Sequence, residues 1–211
     1  MRIAVFLAAA ALATAAQAEV VHSEPSGFRL RATATTAAAP SDVWRQLGRI
    51  ERWWKASHTY SGDADRLRLE LAPGGCFCER WPGGAVEHAR VLSLTPDRQV
   101  RLEGAFGPLQ ELGAHGVWTI TLAPEGAGTK LTADYRVSGA PFMKLDALAA
   151  VVDGVMTEQI TRLAATTPVQ PAGPVRPGPS ATPSAPTDSQ ATPPRPRVAA
   201  PNQQDRVNSE F

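Results

Sequence analysis

"LDALAAVVDGVMTEQITRLAA", residues 145–165, is the stretch whose period decides the fold. Leu145, Leu148, Val152, Val155 and Leu163 recur at spacings of three and four with Met156 and Ile160 beside them, which predicts one long amphipathic helix. The only other helices expected are two short ones, so its apolar stripe must lie on a sheet. Gly154 in its middle costs about 1 kcal/mol relative to alanine and is expected where the helix packs closely on that sheet.

The strands that such a helix needs are legible upstream. Phe28, Leu30, Ala32 and Ala34 alternate with Arg29, Arg31, Thr33 and Thr35, the pattern of a half-buried strand. "APSDVWRQLGRIERWW", residues 39–54, comes next. Pro40 with Ser41 and Asp42 starts a helix, Val43, Trp44 and Leu47 continue it, and Gly48 breaks it before a second short helical turn carrying Ile50, Trp53 and Trp54. Leu67, Leu69 and Leu71 then alternate with charged residues. Further strands are expected at 76–81, 85–94, 99–106, 116–123 and 129–138, mostly joined by short Gly- and Pro-containing turns, which predicts an antiparallel meander. Gly107 to Gly113, holding Pro108 and Leu109, is a longer connection with room to move.

The two ends have a different character. Met1-Arg2 precedes an apolar run from Ile3 to Ala16, and Ala16-Gln17-Ala18 is a small-x-small pattern, so residues 1–18 read as a secretory signal peptide cut after Ala18. The run is shorter than the roughly 18–20 residues a membrane span requires, so no stable membrane insertion is expected, and the address is periplasmic or secreted. From 167 to 211 the chain carries eleven of its nineteen prolines among Ala, Ser, Thr and Gln, the composition of a disordered tail that could dock a protein partner. Between them lie a lead-in at 19–26 and a single domain at 27–166. Without Arg2 the chain has 20 basic and 20 acidic residues, and this balance argues for no nucleic-acid partner.

In this order and spacing, "APSDVWRQLGRIERWW", "LELAPGGCFCE", "ARVLSLTPDRQVRLEG", "GTKLTADYRVSG" and "VVDGVMTEQITRL" resemble the landmarks of the polyketide-cyclase/START-like (SRPBCC) superfamily. The resemblance spans residues 28–165 and is closest to its heat-shock-ATPase-activator-like branch. It implies an α+β helix-grip fold, a curved antiparallel sheet wrapped around the long C-terminal helix with two short helices after the first strand, and an apolar cavity between sheet and helix. A signal peptide argues against chaperone activation, since ATP and that cytosolic partner are not expected outside the membrane.

No catalytic spacing is present: there is no nucleophile elbow, no Gly-rich phosphate loop after a strand and no metalloprotease histidine pair. The polar candidates are His58, Tyr60, Asp63, Glu79, Glu87, His88, Glu103, His115 and Tyr135, with His58 and Tyr60 foremost because they share one side of an extended segment. Trp53, Trp54, Trp118, Val152 and Met156 complete the expected ligand-binding set. Adjacent helical residues diverge by about 100°, so one of Trp53 and Trp54 should plug the domain while the other faces the cavity mouth or solvent. Trp118 alternates with Ile120 and Leu122 and should face inward, and Trp44 belongs with the core.

Cys76 and Cys78 leave three readings open. Residues two apart in a strand have Cα atoms roughly 6.5–7 Å apart, at the limit for bridging, so free thiols are preferred and a disulfide needs a bulge. If the following hairpin sets Cys78 opposite His88, then Cys76, Cys78 and His88 could hold a soft metal. The whole predicts an exported protein binding a small hydrophobic or amphipathic molecule without a cofactor, with a cyclase- or hydratase-type enzyme as the second reading and an envelope interaction module acting through the tail as the third.

Overall fold

The computed structural model describes residues 17–169. Apart from Gln17 and Ala18, the expected signal peptide lies outside the described residues, as does the proline-rich tail beyond Val169. Eight strands form one antiparallel sheet: β1 (Gln17–Glu24), β2 (Gly27–Thr36), β3 (Leu67–Leu69), β4 (Cys76–Trp81), β5 (Gly84–Thr95), β6 (Gln99–Glu103), β7 (His115–Glu125) and β8 (Gly128–Ser138). Their order is β1-β2-β8-β7-β6-β5-β4-β3, a meander whose last strand returns beside β2. Three helices complete it: α1 (Pro40–Leu47), α2 (Pro108–Glu111) and α3 (Asp146–Thr166). This is the α+β helix-grip arrangement, a curved sheet holding a long C-terminal helix.

Period-two alternation makes the sheet two-faced. Leu30 of β2 pairs with Tyr135 of β8, Tyr135 with Trp118 of β7, Trp118 with Leu102 of β6, and Leu102 with Val91 of β5. All five are buried, so one inward row crosses five strands. α3 lays Ala149, Ile160 and Leu163 into the core, with its backbone closest to β1 and β2. The next outward row holds Arg31, Asp134, Thr119 and Arg101. Arg29 and Arg31 both bond Asp134, at 2.6 and 2.8 Å. Burial alone would raise the Asp134 pKa, but the guanidinium groups of Arg29, Arg31 and Arg136 outweigh it and hold the carboxyl at about 2.

Four expectations change. Residues 19–26 are not a lead-in: β1 pairs with β2 from Gln17 to Glu24, and a cut after Ala18 would leave the strand's Glu19–Glu24. The two short helices therefore follow the second strand, and only α1 is α-helical, since Ile50–Arg52, Ala56–His58 and Ala64–Arg66 are single 3-10 turns. β6 stops at Glu103, and the connection at 107–113 contains α2, anchored by fully buried Leu109. Gly154 is exposed, with nothing within 4 Å of the position a Cβ would take, so close packing does not account for it.

Gly154→Ala should therefore stabilise the domain by roughly 0.5–1 kcal/mol in denaturant unfolding, since alanine meets no clash and orders the unfolded chain's backbone. The Asp134 cluster sets an acid limit. A carboxyl whose folded pKa is about 2, against an ordinary aspartate value of 3.8, contributes stability that is complete above about pH 4 and lost as the pH falls towards 2. Asp134→Asn should be less stable than wild type at neutral pH and should lose less on acidification, as read by thermal melts across that range.

Candidate functional site

The site is assembled where the 3-10 segment after α1 meets β4, β5 and α3. Trp53 and Trp54 follow the Ile50–Arg52 turn, and both are buried; Trp53 is its C-cap, with φ −125° and ψ −21°, so helical divergence does not govern the pair. Trp53 is the plug: its Nε1–H donates to the Leu47 carbonyl at 3.2 Å, and Arg162 Nε donates to its own carbonyl at 2.8 Å. Trp54 donates to the His58 carbonyl at 2.9 Å and packs edge-on against Phe77 and Trp118, with ring centroids 5.1 and 6.2 Å away.

Below this segment sits a fully buried carboxylate. Glu79 of β4 accepts the backbone N–H groups of Tyr60 (3.0 Å) and Ser61 (2.5 Å) and lies 3.1 Å from His88 Nε2. His88 reaches it through a bulge: Phe77 pairs with Ala89 and Cys78 with Glu87, so His88 is the extra residue of β5 and turns inward. Burial alone would push the Glu79 pKa up, yet the hydrogen bonds from Ser61, Tyr60 and His88 outweigh it and hold the group below its ordinary value. Burial pulls the His88 pKa down, opposed by Glu79. At neutral pH the pair is therefore a carboxylate and a neutral imidazole, whose Nε2–H is donated and whose Nδ1 keeps its lone pair.

A cavity of about 400 Å³ opens above His88. Leu148, Val151, Val152, Val155 and Met156 of α3 form one wall, Trp54, His58 and Tyr60 another, and Phe106, Gly107 and Pro108 a third. His58 is fixed from α3: Gln159 Nε2 is 2.9 Å from its Nδ1, while Gln159 Oε1 accepts the Lys55 N–H at 2.9 Å. With the amide donating, Nδ1 is the acceptor and Nε2 carries the proton. Tyr60 is 46% exposed, rests its ring on His88 at 5.7 Å, and brings its hydroxyl within 3.5 Å of the Gly107 carbonyl. Burial raises its pKa, helped by Glu111 and Glu79.

Of the residues singled out in the sequence, Trp54, His58, Tyr60, His88, Val152 and Met156 come together around this cavity. Trp53 and Trp118 do not line it. Trp118 is buried behind Trp54 and Phe106, its Nε1 without a partner among the described residues. Tyr135 is a structural strut, donating to the Gly104 carbonyl and accepting the Phe106 N–H. Asp63 caps the Ala64–Arg66 turn, and Glu103 faces His115 across the exposed side of the sheet at 3.3 Å.

The metal reading of Cys76, Cys78 and His88 does not hold, because the bulge sets Cys78 opposite Glu87 and turns His88 to Glu79. Nor are the thiols free: Cys76 and Cys78 form a disulfide, with Cα atoms 5.4 Å apart. Cys76, Cys78 and Glu87 do cluster, but the bond occupies both sulfurs and Arg90 holds Glu87 at 2.6 Å.

Gln159 and the Glu79–His88 pairing escaped the sequence reading. Gln159 had a signal, a polar residue three positions after Met156 on the buried face of the helix. So had Glu79, which alternates inward with Phe77. His88 stood among the polar candidates, but its inward turn had no signal, because a bulge leaves no mark in the alternation.

A family model described as "Polyketide cyclase / dehydrase and lipid transport" matches residues 27–167. Among solved structures, protein MLL2253 from Mesorhizobium loti is 19% identical, covering 67% of this chain and 99% of that chain with a TM-score of 0.47. Protein CV1439 from Chromobacterium violaceum is 19% identical, covering 68% and 98% with a TM-score of 0.45. The di-domain ARO/CYC StfQ from the steffimycin biosynthetic pathway is 15% identical, covering 68% of this chain and 51% of its own with a TM-score of 0.48. No curated protein sequence matches the chain.

The buried pair predicts a specific titration. His88 should protonate below the ordinary histidine pKa in the wild type, and lower still in Glu79→Gln, because the opposing pull of the carboxylate is gone. Histidine ring shifts followed by NMR against pH measure both values.

Proposed function

The chain belongs to the polyketide cyclase/dehydrase and lipid transport family, and from that premise we propose that it holds one small hydrophobic or amphipathic molecule in the cavity between α3, α2 and the Trp54–Tyr60 segment. The supporting observation is the composition of that cavity: apolar side chains of α3 along one wall, and His58, Tyr60 and His88 supplied by the other elements. Pockets that bind small molecules are mostly apolar, with a few placed polar groups that fix orientation. At about 400 Å³ the space suits a compact ligand rather than a long-chain lipid held whole. The apolar body would lie against Val152, Val155 and Met156, and a hydroxyl or carbonyl would meet His58 or Tyr60. The reading includes export, which rests on the leader-like sequence of residues 1–18.

The Glu79–His88 pair favours a second reading, acid–base catalysis of the cyclase or dehydrase kind. A neutral imidazole held by a carboxylate on one nitrogen can take a proton at the other, and the carboxylate stabilises the imidazolium that forms. Abstraction of a proton next to a substrate carbonyl, followed by its return to a leaving hydroxyl, requires no cofactor.

Native mass spectrometry of the purified protein should show a bound small molecule, or uptake of a fluorescent apolar probe displaced by hydrophobic competitors. Val155→Trp, which fills the cavity from α3, should weaken binding at least tenfold while leaving the circular-dichroism spectrum and melting unchanged. His58→Ala should weaken it only a few-fold. A domain that takes up no apolar probe, or a Val155→Trp variant that binds as well as wild type, would overturn the binding reading. If His88→Gln retains binding and abolishes turnover of a candidate hydroxy-carbonyl substrate, the second reading holds.

A further inference from the structure

β4 has a second face. Phe77 and Glu79 point into the core, so Cys76 and Cys78 point outward, where their disulfide bridges alternate residues. Cys78 lies across from Arg68 of β3 and joins Asp65, Arg66 and Arg80 in lining a concavity of about 230 Å³. Three arginines thus share that concavity with Cys78 and one carboxylate, while on the other side Glu87 of β5, opposite Cys78, lies within 4.8 Å of its sulfur. Arg66 shares Asp63 at 3.3 Å, while Arg68 donates only to the backbone carbonyls of Asp65 and Leu67 among the described residues. Cys76 has other neighbours: its Sγ is 3.8 Å from Glu87 Oε2, within the Glu87–Arg90 ion pair. Glu87 lies near both sulfurs, so what distinguishes them is the arginine-lined concavity on the side of Cys78, which makes that sulfur the more electropositive.

We propose that Cys76–Cys78 is a redox-active site that exchanges with low-molecular-weight thiols, with Cys78 the sulfur released as thiolate. Positive charge beside a partly exposed cysteine stabilises its thiolate, which makes that sulfur the better leaving group and favours the reduced form. A thiolate attacks Cys76 Sγ, the new S–S bond forms as the Cys76–Cys78 bond breaks, and the electron pair departs on Cys78 Sγ among the arginines. A second thiolate then attacks the outer sulfur of the mixed disulfide, and Cys76 leaves with its electron pair and takes up a proton. Two thiols are oxidised to one small disulfide, and the protein disulfide is reduced to a dithiol. The same arginines oppose a metal cation at these sulfurs. Phe77, between the two cysteines, packs on Trp54 at 5.1 Å, so exchange should also be visible in tryptophan fluorescence.

The test incubates the full folded chain with millimolar reduced glutathione at pH 7, quenches in acid and counts maleimide-labelled thiols by mass. The dithiol form should appear without unfolding and should reverse on adding oxidised glutathione. Arg68→Gln with Arg80→Gln keeps both cysteines and should need about threefold more reduced glutathione at a fixed concentration of oxidised glutathione, because two thiols react per bridge and the requirement scales as the square root of a roughly tenfold change in the equilibrium constant. In the single-cysteine variants, the thiol left in Cys76→Ser should react with iodoacetamide at pH 7 about tenfold faster than the one left in Cys78→Ser. A bridge that stays oxidised until the protein unfolds, an arginine variant that titrates with the wild type, or equal alkylation rates would each overturn the proposal. The arginine variant retains the bridge, so its result stands even if the serine variants fail to fold.

Discussion

A buried carboxylate must be paired, and in this domain that requirement organises the site. Leaving Glu79 in the core without partners would cost several kcal/mol. Its oxygens are instead met by two successive backbone N–H groups, those of Tyr60 and Ser61, and by the imidazole of His88. The segment from Lys55 to Asp65 has only isolated 3-10 turns to hold it. The carboxylate ties its middle to β4. Once Tyr60 and Ser61 are fixed over Glu79, Trp54 and His58 have little choice of position, and one wall of the cavity is set by a group that does not line it.

α3 supplies the complementary constraint, because its buried surface is wider than the sheet contact needs. Ala149, Ile160 and Leu163 go into the core, while Leu148, Val151 and Val155 stand on a flank that faces the cavity. β1 strengthens the division. By extending the sheet beyond β2 it gives the helix a second strand to lie against on one side, leaving the other side to α2 and the Trp54–Tyr60 segment. Gln159 stands where these surfaces meet, one amide group joining His58 and the Lys55 backbone to the helix.

How much of this the sequence carried depends on whether a feature leaves a period. The strands from Gly27 to Ser138 and the α3 stripe follow from alternation and three-four spacing, and those patterns survive because burial enforces them along the whole element. β1 was missed because "QAEVVHSE" carries no apolar alternation: an edge strand exposed to solvent needs none. α2 was missed because four residues are too few to show a period. The tryptophan pair divides as read, Trp53 plugging the domain and Trp54 facing the cavity, although both are buried. The cavity was implied by a family resemblance, and Glu79 and His88 stood among the polar candidates, but their pairing was not read. Alternation could have turned Glu79 inward; only the β5 bulge turns His88 to meet it. A single inserted residue inverts the facing of everything after it, and its position is decided by pairing between strands rather than by local sequence.

On β4 itself the alternation is regular, and it lets two kinds of chemistry share one strand without meeting. Along β4, period two sends Phe77 and Glu79 inward and Cys76 and Cys78 outward. The disulfide draws its Cα atoms to 5.4 Å, short of the roughly 6.5–7 Å of a regular strand. At the same place β5 carries one residue more than β4, between the partners of Phe77 and Cys78, and that residue is His88. The bridge on the outer face and the imidazole on the inner face therefore sit at one register shift. Phe77, fixed between the cysteines, presses on the rings of His88 and Trp54, at 4.8 and 5.1 Å. Phe77 thus packs directly against two of the residues that line the cavity, from a position between the bridged cysteines.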